Sequence, residues 1–96
     1  MVKARLIIHH KESYDDGHIV EFTVWQLPEA NAERPHGLKY SFFYGTDGMR
    51  LIGYDNERGK GDHRHYLDVE EAIQFHSLDQ LMNDFMRDVA NIRRSK

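Results

Sequence analysis

Apolar residues at Val2, Ala4, Leu6 and Ile8 alternate with Lys3, Arg5 and His9, a period of two that predicts a β-strand with one buried face over Val2–His9. His10–Gly17 is polar and closes on Asp15-Asp16-Gly17, a turn signal. Ile19–Leu27 is rich in β-branched and aromatic residues, with apolar side chains on both faces of its middle. It reads as an interior strand covered on each side, by a helix on one, and Pro28 ends it. Pro28–Gly37 carries two prolines and little apolar content, so it reads as an exposed loop. Leu38–Tyr44 and Met49–Tyr54 are the third and fourth strands. Thr46-Asp47-Gly48 between them predicts an antiparallel hairpin, because Asp-Gly supplies the positive φ that tight hairpin turns need.

Tyr66–His76 fits neither helical nor strand period; a short fifth strand is expected near Ile73–His76. Ser77 with Gln80 then makes a capping box. Leu78, Leu81, Met82, Phe85, Val89 and Ile92 recur at three- and four-residue intervals, which predicts an amphipathic helix of about four turns. Arg93, Arg94 and Lys96 lie at its negative end. The pattern therefore predicts one α+β domain over residues 1–96, an antiparallel sheet of four to five strands with the C-terminal helix packed on one face.

Composition narrows the function. The 96 residues contain no cysteine, which excludes disulfide scaffolds, thiolate metal sites and thiol nucleophiles, and suits a cytoplasmic protein. No apolar run approaches the roughly 20 residues of a membrane span, and the opening Met1-Val-Lys-Ala-Arg leads into a strand rather than a signal-peptide core. A net charge of -3 argues against coating nucleic acid with a broadly basic surface, so polyanion binding has to be local. Seven histidines are available to titrate near neutrality.

The chemistry concentrates in Tyr54-Asp-Asn-Glu-Arg-Gly-Lys-Gly-Asp-His-Arg-His-Tyr66. Three carboxylates (Asp55, Glu57, Asp62), three strong bases (Arg58, Lys60, Arg64) and two histidines (His63, His65) crowd around Gly59 and Gly61. Nothing between the tyrosines is large and apolar, so core packing does not account for the segment. It is either a solvated loop or a site for a phosphate-bearing ligand. RNA cleavage without a metal or other cofactor needs a base, an acid and cations on the charged phosphorane. His63 and His65 suit the proton transfers, with Asp55 and Glu57 as supporting carboxylates. Arg58, Lys60 and Arg64 suit phosphate binding, and Tyr54 and Tyr66 suit base stacking. If the segment is extended, His63 and His65 share one face and Arg64 takes the other.

Metal-dependent chemistry is the alternative, with Asp55, Glu57, Asp62, His63 and His65 as donors. Against it, the neighbouring cations compete for the same carboxylates. Asp55-x-Glu57-x-x-Lys60 also lacks the single-residue gap of restriction-type nucleases. A non-enzymatic protein that binds a partner through this loop is the third reading. His9-His10 reads as a strand end rather than a ligand pair, and His18, His36 and His76 fall at element ends. Trp25 and Phe42-Phe43-Tyr44 read as core, with Tyr40 or Tyr44 able to extend a stacking surface if exposed. No phosphate-binding glycine loop, dinucleotide fingerprint or Gly-x-Ser-x-Gly elbow occurs.

Asp15-Asp16-Gly17, the strand ending near Trp25 with Pro28 beyond it, His36-Gly37-Leu38-Lys39-Tyr40 and, above all, Gly53–Tyr66 together resemble the TumE-type toxin family of prokaryotic toxin–antitoxin systems. The likeness spans nearly the whole chain. It implies a small cytoplasmic growth-inhibiting protein whose partner is an antitoxin carrying a helix-turn-helix domain; a homodimer is left open. RelE-type toxins also place a sheet beneath a basic, metal-independent RNA site, and that fold-level analogy makes RNA the expected target.

Overall fold

A computed structural model describes residues 3–32, 34–57, 59 and 61–95. The chain forms a six-stranded sheet in the order β1-β2-β3-β4-β5-β6, every neighbouring pair antiparallel. The strands are β1 (Arg5–Ser13), β2 (Ile19–Gln26), β3 (Leu38–Thr46), β4 (Met49–Asp55), β5 (His63–Tyr66) and β6 (Val69–Ala72), followed by the helix α1 (Leu78–Arg94). The α+β architecture is as expected, with one strand beyond the expected range.

Period-two alternation builds the core. Val20, Phe22 and Val24 of β2, Tyr40, Phe42 and Tyr44 of β3, and Ile52 and Tyr54 of β4 are all buried on one face. Leu81, Phe85 and Val89 of α1 meet them there. Phe85 is the keystone: its ring centroid lies 5.3 Å from Phe22, 5.6 Å from Phe42 and 5.3 Å from Tyr54, all near edge-on. Ser77 caps the helix by accepting a hydrogen bond from the Gln80 backbone N–H, as the sequence predicts.

Among the described residues no helix or strand lies over the opposite face. The expectation that β2 is covered on both sides is thus corrected, and with it the placing of Trp25 in the core: Trp25 is 37% exposed. Phe43 faces the same open side and is half-buried, whereas Phe42 and Tyr44 are core.

Two further differences concern the sheet edges. β1 runs on past His9 to Ser13, into the polar stretch that precedes the turn, while Val2 lies outside the described residues. The last strand is Val69–Ala72, and Ile73–His76 has no regular structure. Both are edge strands exposed along nearly all their length, which corrects the buried face expected of β1, while Val69–Ala72 carries no apolar alternation to mark it. Leu67 and Asp68 join β5 to β6, with Leu67 at φ 54, a region that disfavours a branched aliphatic side chain. Leu67 is also 53% exposed. Leu67→Asn is expected to stabilise the fold by about 1 kcal/mol, raising Tm by roughly 4–8 °C in calorimetry. An unchanged or lower Tm would show that the apolar contact of Leu67 outweighs its backbone strain.

Candidate functional site on the open sheet face

β4 and β5 position the site. Only the middle of the chemistry-rich segment is loop; His63–Tyr66 is a strand paired on both sides. Asp55 lies directly opposite His63, and Gly53 opposite His65. The side chains of Asp55, His63 and His65 therefore emerge together on the helix-free face. One donor atom from each lies within 4.8 Å of the others, and the two imidazoles meet edge-to-face at 5.0 Å.

The local bonding is specific. His63 is 5% exposed, and its Nδ1 is hydrogen-bonded to the Gly61 carbonyl at 3.0 Å. Its Nε2 lies 2.7 Å from Asp55 Oδ1. That contact is close but poorly directed, because Asp55 Oδ1 is buried with no hydrogen-bond partner among the described residues. His65 Nδ1 lies 3.1 Å from the Glu70 carboxylate on β6. Burial pushes the His65 imidazole below its ordinary pKa, and the Arg50 guanidinium pushes it further in the same direction.

Arg50 reaches this face through a β-bulge. Tyr44 pairs with Ile52 but Gly45 pairs with Arg50, so Leu51 is an extra residue in β4. Simple alternation assigns Arg50 to the helix side; the bulge re-aims it. Two glycines make room. A Cβ on Gly45 would stand 2.1 Å from the Met49 carbonyl oxygen, and one on Gly53 would stand 2.7 Å from Arg50 Cδ.

The other sequence-predicted residues are dispersed. Arg64 points to the helix face, donating from Nε and Nη2 to Asp88 at 2.7 and 3.0 Å and from Nη1 to Glu71 at 2.7 Å. These carboxylates hold its pKa above the ordinary arginine value. Tyr54 is buried on that same face and donates its hydroxyl to Asp88 at 2.6 Å. Burial, then that hydrogen bond, pushes its pKa up. Tyr66 lies under the Arg64 guanidinium at 4.7 Å. Glu57 is exposed and lines a recess with Arg34, Lys39, Tyr40, Ser41 and Asp55. Asp62 accepts from the Tyr40 hydroxyl at 2.6 Å and lies 3.2 Å from His36 Nε2, tying the 28–37 loop to the central segment. Arg58 and Lys60 lie outside the described residues.

The structure thus brings together His63, His65 and Asp55, and separates Arg64, Tyr54 and Tyr66 from them. Sequence reasoning missed Arg50, hidden by the bulge, and Glu70, whose relevance depends on the β5–β6 register. It also missed Asn56. Asn56 is buried, accepts from the Tyr40 backbone N–H at 3.0 Å and donates to the Leu38 carbonyl at 2.8 Å. Its side chain thereby extends the β3–β4 ladder beyond Asp55 and holds the segment's entry. The pattern Gly53–Asn56 gave no separate signal for it.

No helix among the described residues is long and apolar enough to cross a membrane. A family model described as Toxin TumE matches residues 3–93. No curated protein and no solved structure matches the chain.

Proposed function

This chain belongs to the TumE toxin family, and from that premise we propose that it is a type II toxin acting as an endoribonuclease through Asp55, His63 and His65. Membership of a toxin family implies a cognate antitoxin. The proposed antitoxin is a helix-turn-helix protein encoded beside the toxin, and the proposed setting is the cytoplasm.

The observation that carries the RNA reading is the meeting of two imidazoles and a carboxylate on the helix-free face, the face on which Trp25 and Phe43 are partly exposed. A sheet face with aromatic side chains can stack unpaired bases. Lys39 and Ser41 add polar contacts across the same face, since Lys39 pairs with Trp25 and Ser41 with Asp55 in register. In the proposed reaction His65 removes the 2′-hydroxyl proton and that oxygen attacks the adjacent phosphorus. His63, oriented by Asp55 and the Gly61 carbonyl, protonates the departing 5′-oxygen. Arg50 supplies positive charge to the phosphorane from the floor of the site, and Arg58 and Lys60 are proposed to supply it from the loop. Arg64 and Tyr54 take a supporting part, fastening β5 and β4 to α1. No metal takes part in these steps.

The test is incubation of purified protein with single-stranded RNA in excess chelator. Fragments ending in a 2′,3′-cyclic phosphate and a 5′-hydroxyl are expected. RNA that stays intact, while the loop still binds a partner protein, would overturn the enzyme reading in favour of a non-enzymatic toxin. Growth arrest on expression, relieved by co-expressing the neighbouring helix-turn-helix protein, tests the pairing separately.

A further inference from the structure

The bonding around the two imidazoles is that of metal ligands, and we infer that Asp55, His63 and His65 form a binding site for one divalent transition-metal ion, with zinc the best fit. The donor types are two imidazoles and one carboxylate, a set that zinc accepts with a fourth position left to water. Tetrahedral bonds of about 2.0–2.2 Å place donor atoms about 3.4 Å apart. The three donors already lie within 4.8 Å of one another on two hydrogen-bonded strands, so small side-chain rotations close the geometry.

The second argument is the protons. A carbonyl oxygen only accepts, so the hydrogen bond to Gly61 places a proton on His63 Nδ1. In the neutral ring Nε2 is then a lone pair, facing a carboxylate oxygen at 2.7 Å. Two acceptors at that separation repel, and Asp55 Oδ1 has no other hydrogen-bond partner among the described residues. A second proton on the ring, as the cleavage step uses, or a metal cation between the two atoms removes the conflict, and the three-donor geometry is what favours the cation. His65 Nδ1 lies 3.1 Å from the Glu70 carboxylate, an ion-pair distance, which leaves Nε2 for an ion. An outer carbonyl and an outer carboxylate on the far nitrogens are what ligating histidines use to fix their tautomer.

The Arg50 charge beside His65 opposes a cation, and the carboxylates of Asp55 and Glu70 offset it. The pairs His36–Asp62 and His9–Glu21 lie at 3.2 and 2.9 Å, and among the described residues neither belongs to a three-donor cluster.

Binding stands on this geometry alone, whatever the toxin attacks. One consequence does rest on the nuclease reading: an ion takes the nitrogens that the metal-free cleavage uses, so zinc inhibits it.

The experiment is calorimetric titration of tag-free, chelator-treated full chain with zinc chloride, in parallel with the RNA assay. One equivalent is expected to bind with micromolar or tighter affinity. Asp55→Asn and His65→Ala, checked for folding by circular dichroism, are expected to weaken it by at least about tenfold. His9→Ala, on the exposed edge, should leave it unchanged. Absence of saturable binding, or equal binding by both site variants, overturns the site. Zinc binding by a protein that leaves RNA intact in excess chelator as well overturns the nuclease reading only, and RNA cut by a protein that binds no zinc overturns the metal site only. Cleavage that appears only with zinc keeps the site and overturns the metal-free mechanism.

Discussion

Asp88→Ala is expected to destabilise the fold by about 3 kcal/mol, read as a lower urea midpoint at constant m-value. The Asp88 carboxylate accepts from the Tyr54 hydroxyl at 2.6 Å and from Arg64 Nε and Nη2 at 2.7 and 3.0 Å. It is itself buried between α1 and the sheet. Truncation leaves a buried phenol without its acceptor and a largely enclosed guanidinium with Glu71 as its one remaining acidic partner among the described residues. An orphaned buried donor costs about 1–3 kcal/mol, and breaking a buried ion pair about 3–5. The lower part of the combined range applies, because the Arg64 side chain is 24% exposed and can turn toward water. Asp88→Asn, which keeps the volume and one acceptor oxygen, should lose about half as much. A loss under about 1 kcal/mol for the alanine variant would mean that Arg64 escapes to solvent freely and that the network does not hold β5 in place.

His65→Ala is expected to lower RNA cleavage by about 10²- to 10⁴-fold, the range for losing one proton-transfer group. Its stability should change by less than about 1 kcal/mol, since the side chain lies on the face that no helix covers. The split between the two readouts is the informative part. Asp88→Ala should move stability first, and activity only as far as β5 loosens. His65→Ala should move activity alone. Cleavage that survives in His65→Ala would remove this imidazole from the chemistry and leave the centre to His63 and Asp55.

The contrast between the two residues also shows what was legible before the fold was known. The strands β2 and β3 were legible, but apolar residues on both faces hid which face, that of Val20, Phe22, Val24, Tyr40, Phe42 and Tyr44, is the core. The spacing of Leu81, Phe85 and Val89 behind Ser77 located the helix. The shared face of His63 and His65 followed from their separation by a single residue, and so did the opposite direction of Arg64. Asp55 was visible as a carboxylate, but its contact with His63 depends on the β4–β5 register, which no local pattern encodes. Arg50 was pointed the wrong way by any reading that assumes unbroken alternation, because the extra residue at Leu51 reverses its side. The last strand was the hardest to place: Val69–Ala72 is exposed on both faces and has no reason to alternate. Asp88 gave no signal because a lone acid among apolar helix positions gains meaning only when Arg64 and Tyr54 are seen opposite it.

The order of the strands bears on how the protein is made. Each strand pairs with its sequence neighbour, so the sheet can zip up through short-range closures, which form fast. The packing of Phe85 against Phe22 joins residues far apart in the chain, and it waits for α1, which is translated after every strand. Until α1 docks, the hairpin bearing both histidines has no closed core behind it. Docking of Phe85 is what closes the support beneath that surface.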